Sequence, residues 1–422
     1  MRPTMTKSTS RKLILLLSFL GTWTNGFLPS AARNFFHCQS LAKTSLVRKA
    51  STQEDPTDEL SEERKASLFQ FLLRDLQIEG VPLLEVDADR VHILQAAIWT
   101  TMAEMSTQSD EQKTCLIFEA IPITALRAFV DDFMILKAQD RLMTQVSELR
   151  RFNLLLVGKG VGPAILIEAS AQKDAAKCGK AIPVDVDRSA AVMKMFVDRM
   201  VAEKQVSGYP SSNGSVAQNS VPSMSFPACP YTDACHILSS FWNQVCEILA
   251  YPGELRSSML LLPGVESGNF PRFSAIAELI SRSLCLYRVD DALELLHFHP
   301  MYDRAFVFPE DMPAHGHIPP ISWLKPMLQF NGYTAAAQDL SDDEVRLINY
   351  IRRSPISAVC VVPVDLWMAA LGPEDGVVHL EIGGVVQQAS GVSSYSRNVL
   401  EASEKGESVL REALSAETAI LM

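Results

Sequence analysis

The sequence predicts an α/β protein built from two similar strand-helix-strand blocks. Three observations predict it. Short apolar runs alternate with stretches of helical periodicity, the pattern that layers helices on sheets. The order strand (TCLIFE), long helix, Glu148-Leu149-Arg150-Arg151-Phe152-Asn153 is echoed by strand (SSMLLL), helix, Glu294-Leu295-Leu296-His297-Phe298-His299, consistent with a diverged duplication. A polar stretch rich in Gly, Ser and Pro, residues 206–228, stands between them as a linker or long loop. With 422 residues, 47% of them hydrophobic, the chain can bury two domain-sized cores and is not disordered as a whole. The expected units are a leader over 1–53, a first block over 54–205, the linker, and a second block over 229–422.

The first block opens with apolar residues at helical spacing (Leu68, Phe71, Leu72, Leu76), so a helix is expected over Ser61–Ile78 with Gly80 as its stop. Asp87 is the expected N-cap of a second helix through Met105, with Val91, Leu94, Ile98 and Met102 on one face. Thr114–Glu119 reads as a short buried strand. Pro122 opens a long helix over about Ile123–Val146, because proline suits a first turn. Arg151–Val157 and Ala164–Ala169 read as strands, and Asp187–Lys204 as an amphipathic helix.

The second block reads in the same way. Helices are expected over Tyr231–Leu249, Phe273–Tyr287 and Ser341–Arg352, and a charged terminal one over Ser393–Ala416. Strands are expected over Ser257–Leu262, Ala292–Phe298 and Ile356–Val362, with a proline- and histidine-rich loop over Pro309–Pro320.

The charge is unevenly spread. Residues 1–53 hold eight bases and no acid, which leaves 30 bases against 49 acids, a charge of −19, for the remainder. Such a body repels phosphate backbones and anionic lipid, so nucleic acid is not an expected partner and a small molecule is. In the leader, basic residues precede the apolar run Leu13–Leu20, a small-residue stretch follows, and Phe27 begins an acid-free segment rich in Ser, Thr, Ala and Arg. That is a signal peptide joined to transit-peptide composition, so the expected destination is the plastid stroma, secretion being the alternative. No later apolar run reaches about 18 residues, so no membrane span is expected after leader removal. Cys38 lies in the leader; Cys115, Cys178, Cys229, Cys235, Cys246, Cys285 and Cys360 are odd in number, several within apolar runs, and read as free thiols.

Candidate chemistry is sparse. The loop Gly158-Lys159-Gly160-Val161-Gly162 has the glycines of a phosphate cradle, but the helix that would hold the phosphate is missing, so a hairpin turn is expected. His297, His299, His315 and His317 are four of the chain's eight histidines. On a strand the first two share a face, and His315-Gly316-His317 can return across it. No carboxylate or cysteine stands at metal-ligand spacing, so no metal site is expected and the sequence names no cofactor. Tyr302, Asp303 and Arg304 offer groups to orient the His299 ring and hold an anion. Asn349-Tyr350 and Arg353-Ser354-Pro355 form a second polar knot before a buried strand, which reads equally as a functional loop or a capping turn.

At these residues the chain resembles an uncharacterised family, domain of unknown function 1415. The resemblance rests on Cys229-Pro230-Tyr231, Leu260-Leu261-Leu262-Pro263, Phe298-His299-Pro300-Met301-Tyr302 and Asn349-Tyr350-Ile351-Arg352-Arg353-Ser354-Pro355, in that order over about 225–365. The family's later histidine and Arg-Glu are replaced here by Cys360, Pro363 and Val364, which puts any chemistry of that histidine in doubt. The resemblance implies a domain and a site, not a reaction. The expectation is therefore a polar cleft holding a small anionic metabolite, with His299 moving a proton, Tyr302 setting its ring and Arg353 holding the anion. Asn349, Cys229 and Ser354 are the expected binding groups. The rival expectation is a non-catalytic binding or assembly factor derived from such a domain.

Overall fold

The computed structural model describes residues 47–49, 59–74, 80–157, 163–171, 181–202, 224–251, 257–265, 267–365, 367 and 376–421. Most of the expected leader, most of the linker and the glycine loop 158–162 lie outside the described residues. In chain order the first block holds β1 (Val47–Lys49), α1 (Glu59–Arg74), β2 (Leu83–Val86), α2 (Val91–Ser106), β3 (Gln112–Phe118), α3 (Ile123–Lys137), α4 (Asp140–Gln145), β4 (Phe152–Val157), β5 (Ala164–Ala169) and α5 (Val186–Ala202). The second holds β6 (Met224–Ser225), α6 (Ala234–Ala250), β7 (Ser257–Leu261), α7 (Phe270–Leu286), β8 (Leu293–Phe298), α8 (Ile321–Phe330), α9 (Thr334–Asp339), α10 (Asp342–Arg346), β9 (Ala358–Pro363), the hairpin β10 (Val378–Ile382) and β11 (Val385–Ala389), and α11 (Val392–Ala419).

The chain is α/β, and its two blocks repeat one topology. The first sheet runs β1-β2-β3-β5-β4 and the second β6-β7-β9-β8. β2 is parallel to β3, β3 antiparallel to β5, and β5 antiparallel to β4. β6 is parallel to β7, β7 antiparallel to β9, and β9 antiparallel to β8. Helices α2 and α6 make the first crossover of each block, α3 and α7 the second. Aligned at their first residues, α2 and α6 place Trp99 with Trp242 and Glu104 with Glu247.

The E-L-x-x-F echo is not the register of this repeat. Glu148 and Leu149 lie in a 3-10 turn, and Phe152 opens β4 opposite Ala169. Glu294 and Leu295 lie inside β8, and Phe298 closes it opposite Ala358. Strand pairing fixes register, so Asn153, opposite Glu168, is no counterpart of His299.

The helices follow local chemistry. Asp233 caps α6 by accepting from His236 N at 3.1 Å, and Asn269 caps α7 by accepting from Arg272 N at 3.2 Å. Arg90, not Asp87, is the N-cap residue of α2, and it makes no side-chain cap bond. The long helix expected over 123–146 is two, α3 and α4, divided at Ala138-Gln139. The helix expected over 341–352 is α10 followed by a 3-10 turn, Leu347–Ile351.

The blocks meet through α2 and α6. Thr100 Oγ1 lies 2.8 Å from Ser239 Oγ, and Cys246 Sγ donates to the His92 carbonyl at 3.5 Å. The pairings run in opposite chain directions, so the helices pack antiparallel. This explains why α2 is buried on nearly every face: one side covers its own sheet and the other meets its counterpart. Glu148 extends the joint, accepting from Ala234 N at 2.9 Å and from Arg272 Nη2 at 2.7 Å. One apolar core therefore runs through both blocks.

Candidate functional site

The connection from β4 to β5 is short, and their pairing reaches Val157 opposite Ala164, as a hairpin requires. The matching connection in the second block, residues 299–357, carries His299-Pro300-Met301-Tyr302 and Asn349–Pro355, two of the four motifs read in the sequence. It brings three helices and the histidine loop back onto the end of β8.

His297 and His299 share a face, as strand alternation predicts. Both rings meet α7. His299 lies 5.2 Å from the Phe270 ring and 5.1 Å from Phe273, while His297 Nε2 lies 3.3 Å from Ser281 Oγ. The loop His315-Gly316-His317 returns along β8, with the His297 amide donating to the Gly316 carbonyl at 3.0 Å. Gly316 has φ +79°, and a Cβ there would stand 2.4 Å from the His297 ring, so only glycine allows this approach. The His317 ring then lies 4.6 Å from that of His297, tilted by 40°.

Hydrogen bonding assigns the tautomers. Ser281 Oγ donates to the His315 carbonyl at 3.3 Å, so it accepts from His297 Nε2–H. Tyr302 Oη accepts from Ile318 N at 3.2 Å, so its proton goes to His317 Nδ1, also at 3.2 Å. Both imidazoles are held neutral: burial first, and then the charges of His315 and Arg352 for His297, and of Arg304, Arg352 and His315 for His317, push each well below the usual histidine range.

Two buried arginines complete this latch. Arg304 spends its donors on carbonyls, Nε on Ile318 at 2.8 Å, Nη1 on Val307 at 3.0 Å and Nη2 on Pro309 and Met312. Arg352 Nη1 donates to the Gly316 carbonyl at 3.1 Å, and its guanidinium lies over the Phe298 ring. Arg304, expected to help hold an anion, is fully buried and holds backbone instead.

The expected site residues are distributed as follows. His299 and Tyr302 are completely buried. The Met301 amide donates to His299 Nδ1 at 3.0 Å, and the Tyr302 amide to the His299 carbonyl. Arg353 reaches this unit through the Tyr302 carbonyl, to which its Nε donates at 3.1 Å. Its guanidinium lies over Tyr350 in a separate groove with Arg199, Asn398 and Lys405. His299, Tyr302 and Arg353 thus do not face one open cleft. Asn349 positions the loop, with Oδ1 accepting from Arg304 N and Nδ2 donating to Asp303. Ser354 Oγ donates to the Ile356 carbonyl at 2.6 Å, a local turn. Cys229 is buried, and burial raises its thiol. Cys360 lies inside β9 between Met259 and Leu296, and burial pushes its thiol up to about 12. Among the described residues no group of three or more His, Cys, Asp or Glu side chains is arranged to hold a metal ion.

In front of the latch lies an open cleft of about 380 Å³. β7 and β8 run in the same direction, and the cleft opens beyond their C-terminal ends, where open α/β sheets place ligands. Pro263 and Val265 after β7, Pro300 after β8, and Pro355–Ser357 before β9 line it. Asp185, Arg188 and Ser189 close it from the start of α5. The Ser357 hydroxyl is buried there without a hydrogen-bond partner. Arg188 and Ser357 escaped the sequence reading. Arg188 is one of many charges on an amphipathic helix, and Ser357 precedes a strand with no motif around it. Only the prolines signalled that these segments turn at the same edge.

No family model matches the chain, and no curated protein or solved structure matches it either.

Proposed function

We propose that this protein binds a small anionic metabolite in the cleft beyond β7 and β8, with Arg188 holding the anion and Ser357 donating from the floor. The observation that carries the reading is the meeting of Pro263, Pro300 and Pro355–Ser357, from three separate segments, around a buried hydroxyl that lacks a partner. Binding, rather than proton transfer, is the role the geometry supports. The charged groups among the described lining residues are Asp185 and Arg188, while the imidazoles lie behind the wall. Pro263, Pro300 and Pro355, from three of the motifs read in the sequence, supply the wall. The acidic body turns away polyanions, so one small anion at one arginine is the matching ligand class.

Thermal-shift titration with phosphate, oxalate and malonate at millimolar concentration tests the proposal. At least one of these anions should raise Tm in proportion to the logarithm of its concentration. Arg188→Ala should abolish the rise, and Ser357→Ala should weaken binding about fivefold, the worth of one hydrogen bond. No shift with any of the three, or equal shifts in Arg188→Ala, overturns it.

We also propose import into a plastid, supported by the charge and apolar pattern of residues 1–53. A fluorescent fusion of residues 1–60 should enter the plastid, and export from the cell would instead support secretion. Among the described residues no helix is long and apolar enough to cross a membrane.

A further inference from the structure

The cleft beyond β7 and β8 has a polar side and an apolar side. The polar side is small. Arg188 brings the cation, and Ser357 brings a buried hydroxyl without a hydrogen-bond partner. Asp185 Oδ1 is taken up in capping α5, accepting from Arg188 N at 3.0 Å. The Thr418 hydroxyl, which also borders the cleft, donates to the Leu414 carbonyl at 2.8 Å.

The apolar side is larger. Val184 stands on the segment entering α5, Val265 follows β7, Ile356 precedes β9 and Leu421 follows α11. Between them lie four prolines, Pro183, Pro263, Pro300 and Pro355. A proline has no amide N–H, so this wall presents hydrocarbon where other residues would present donors. Val265 and Ile356 are 3% and 6% exposed, so they form a fixed floor and not a mobile rim. The front wall is tied down as well. Ala181 bridges Tyr231, and Ile182 N donates to the Pro230 carbonyl at 2.9 Å. A cleft held open in this way binds without first ordering its walls.

The cavity beside Arg304 differs, because Glu310, Asp311, Lys325, Asp342 and Arg346 line most of it. In the cleft, charge is confined to one side. Its volume of about 380 Å³ is far more than a bare inorganic anion fills, and it falls in the range of small-molecule sites.

Resting on the reading of this cleft as an anion site, we propose that its ligand is a monocarboxylic acid with an apolar body. The carboxylate sits on Arg188 and accepts from Ser357, and the hydrocarbon lies against the proline wall. The fork of an arginine matches a carboxylate. The opposite side offers hydrocarbon and not a second cation, so the ligand carries its charge at one end. Removing that hydrocarbon from water adds affinity in proportion to its area.

Calorimetric titration of the full chain with acetate, butyrate, hexanoate, malonate and hexylammonium, at constant ionic strength, tests this. Hexanoate should bind about tenfold more tightly than butyrate, the gain expected from two buried methylenes. Hexylammonium, with the same body and the opposite charge, should not bind. Arg188→Ala should weaken butyrate and hexanoate alike, about tenfold, and leave their ratio unchanged. Leu421→Ser, at a half-buried position near the chain end, should shrink the ratio and leave acetate unaffected. Malonate binding that depends on Arg188, with no gain from butyrate to hexanoate, overturns the proposal and leaves the anion reading standing. Hexanoate binding that survives Arg188→Ala, or that hexylammonium equals, places the hydrocarbon elsewhere and overturns it too. No binding by malonate or by any of the acids overturns both.

Discussion

The two blocks share strand order, strand direction and crossover helices, yet one closes its last strand pair through residues 158–163 and the other through 299–357. In the first block the sheet edge ends in a hairpin. In the second, the same edge carries a latch of buried histidines, a tyrosine and two arginines, with a cleft in front. A repeated fold thus supplies two platforms, and the inserted connection on one of them supplies the polar groups. The difference teaches that polarity concentrated next to a motif is not by itself a reaction centre. Here most of it satisfies the backbone of the irregular stretch between β8 and α8.

If the latch holds that loop, breaking it should cost far more than a similar change in the first block. Arg304→Met should lower the unfolding free energy by about 4 kcal/mol, because four carbonyls, those of Ile318 and Val307 buried, lose a charged donor at once. Arg151→Met, which removes bonds to the Ser106 and Gln108 carbonyls near the surface of the first block, should cost about 1 kcal/mol. Urea denaturation of both variants measures the contrast, and equal losses would break it.

The glycines give a second contrast. Gly80 and Gly316 both have positive φ, but space is open around Gly80 whereas a Cβ on Gly316 would strike His297. Gly80→Ala should cost about 1 kcal/mol from backbone strain alone, and Gly316→Ala about 3 kcal/mol. The same denaturation curves decide it.

Acid should act more strongly on the second block. Folding depresses the pKa of His297 and His317 there, and that of His92, to about 4, in the first block. A depressed histidine contributes stability that is present above pH 6.5 and is lost as pH falls toward its folded value. Each such group should remove about 1.4 kcal/mol per pH unit within its window. The stability slope between pH 6 and 4 should therefore drop by about 1.4 kcal/mol per unit in His92→Gln and remain positive from the second block. A flat profile in His92→Gln would show that the latch histidines are not depressed.

The smallest effect is expected where the blocks meet. Thr100→Val and Ser239→Ala should each cost about 1 kcal/mol, and the double variant less than their sum, because both remove one shared hydrogen bond. Strict additivity would mean that this pair does not join the helices.

Much of the fold was legible in the sequence, for identifiable reasons. The runs at 114–118, 152–157, 164–169, 257–261 and 293–298 are apolar and bounded by turn residues, and each is a strand. β2 was not legible, because four residues after a proline carry no periodicity. α8 was hidden by Pro326 inside it, which reads as a breaker although its neighbours hold the helix. The repeat was visible as an order of elements, but the motif used to align it was out of register, since only strand pairing sets register. The histidine return was legible from Gly316 between two imidazoles. The burial of His299 and Tyr302 was not, because it depends on Phe270 and Phe273 of a helix distant in sequence. Nor was the His315–Glu294 contact, whose members come from a loop and a strand.

The central claim is that His297 and His317, buried behind the cleft, stay neutral. Long-range ¹H–¹⁵N correlation of the imidazole rings between pH 5 and 8 measures this directly. His297 and His317 should stay neutral throughout, each with its proton on Nε2. A midpoint near 6.5 for either ring would place it in contact with solvent and contradict the account.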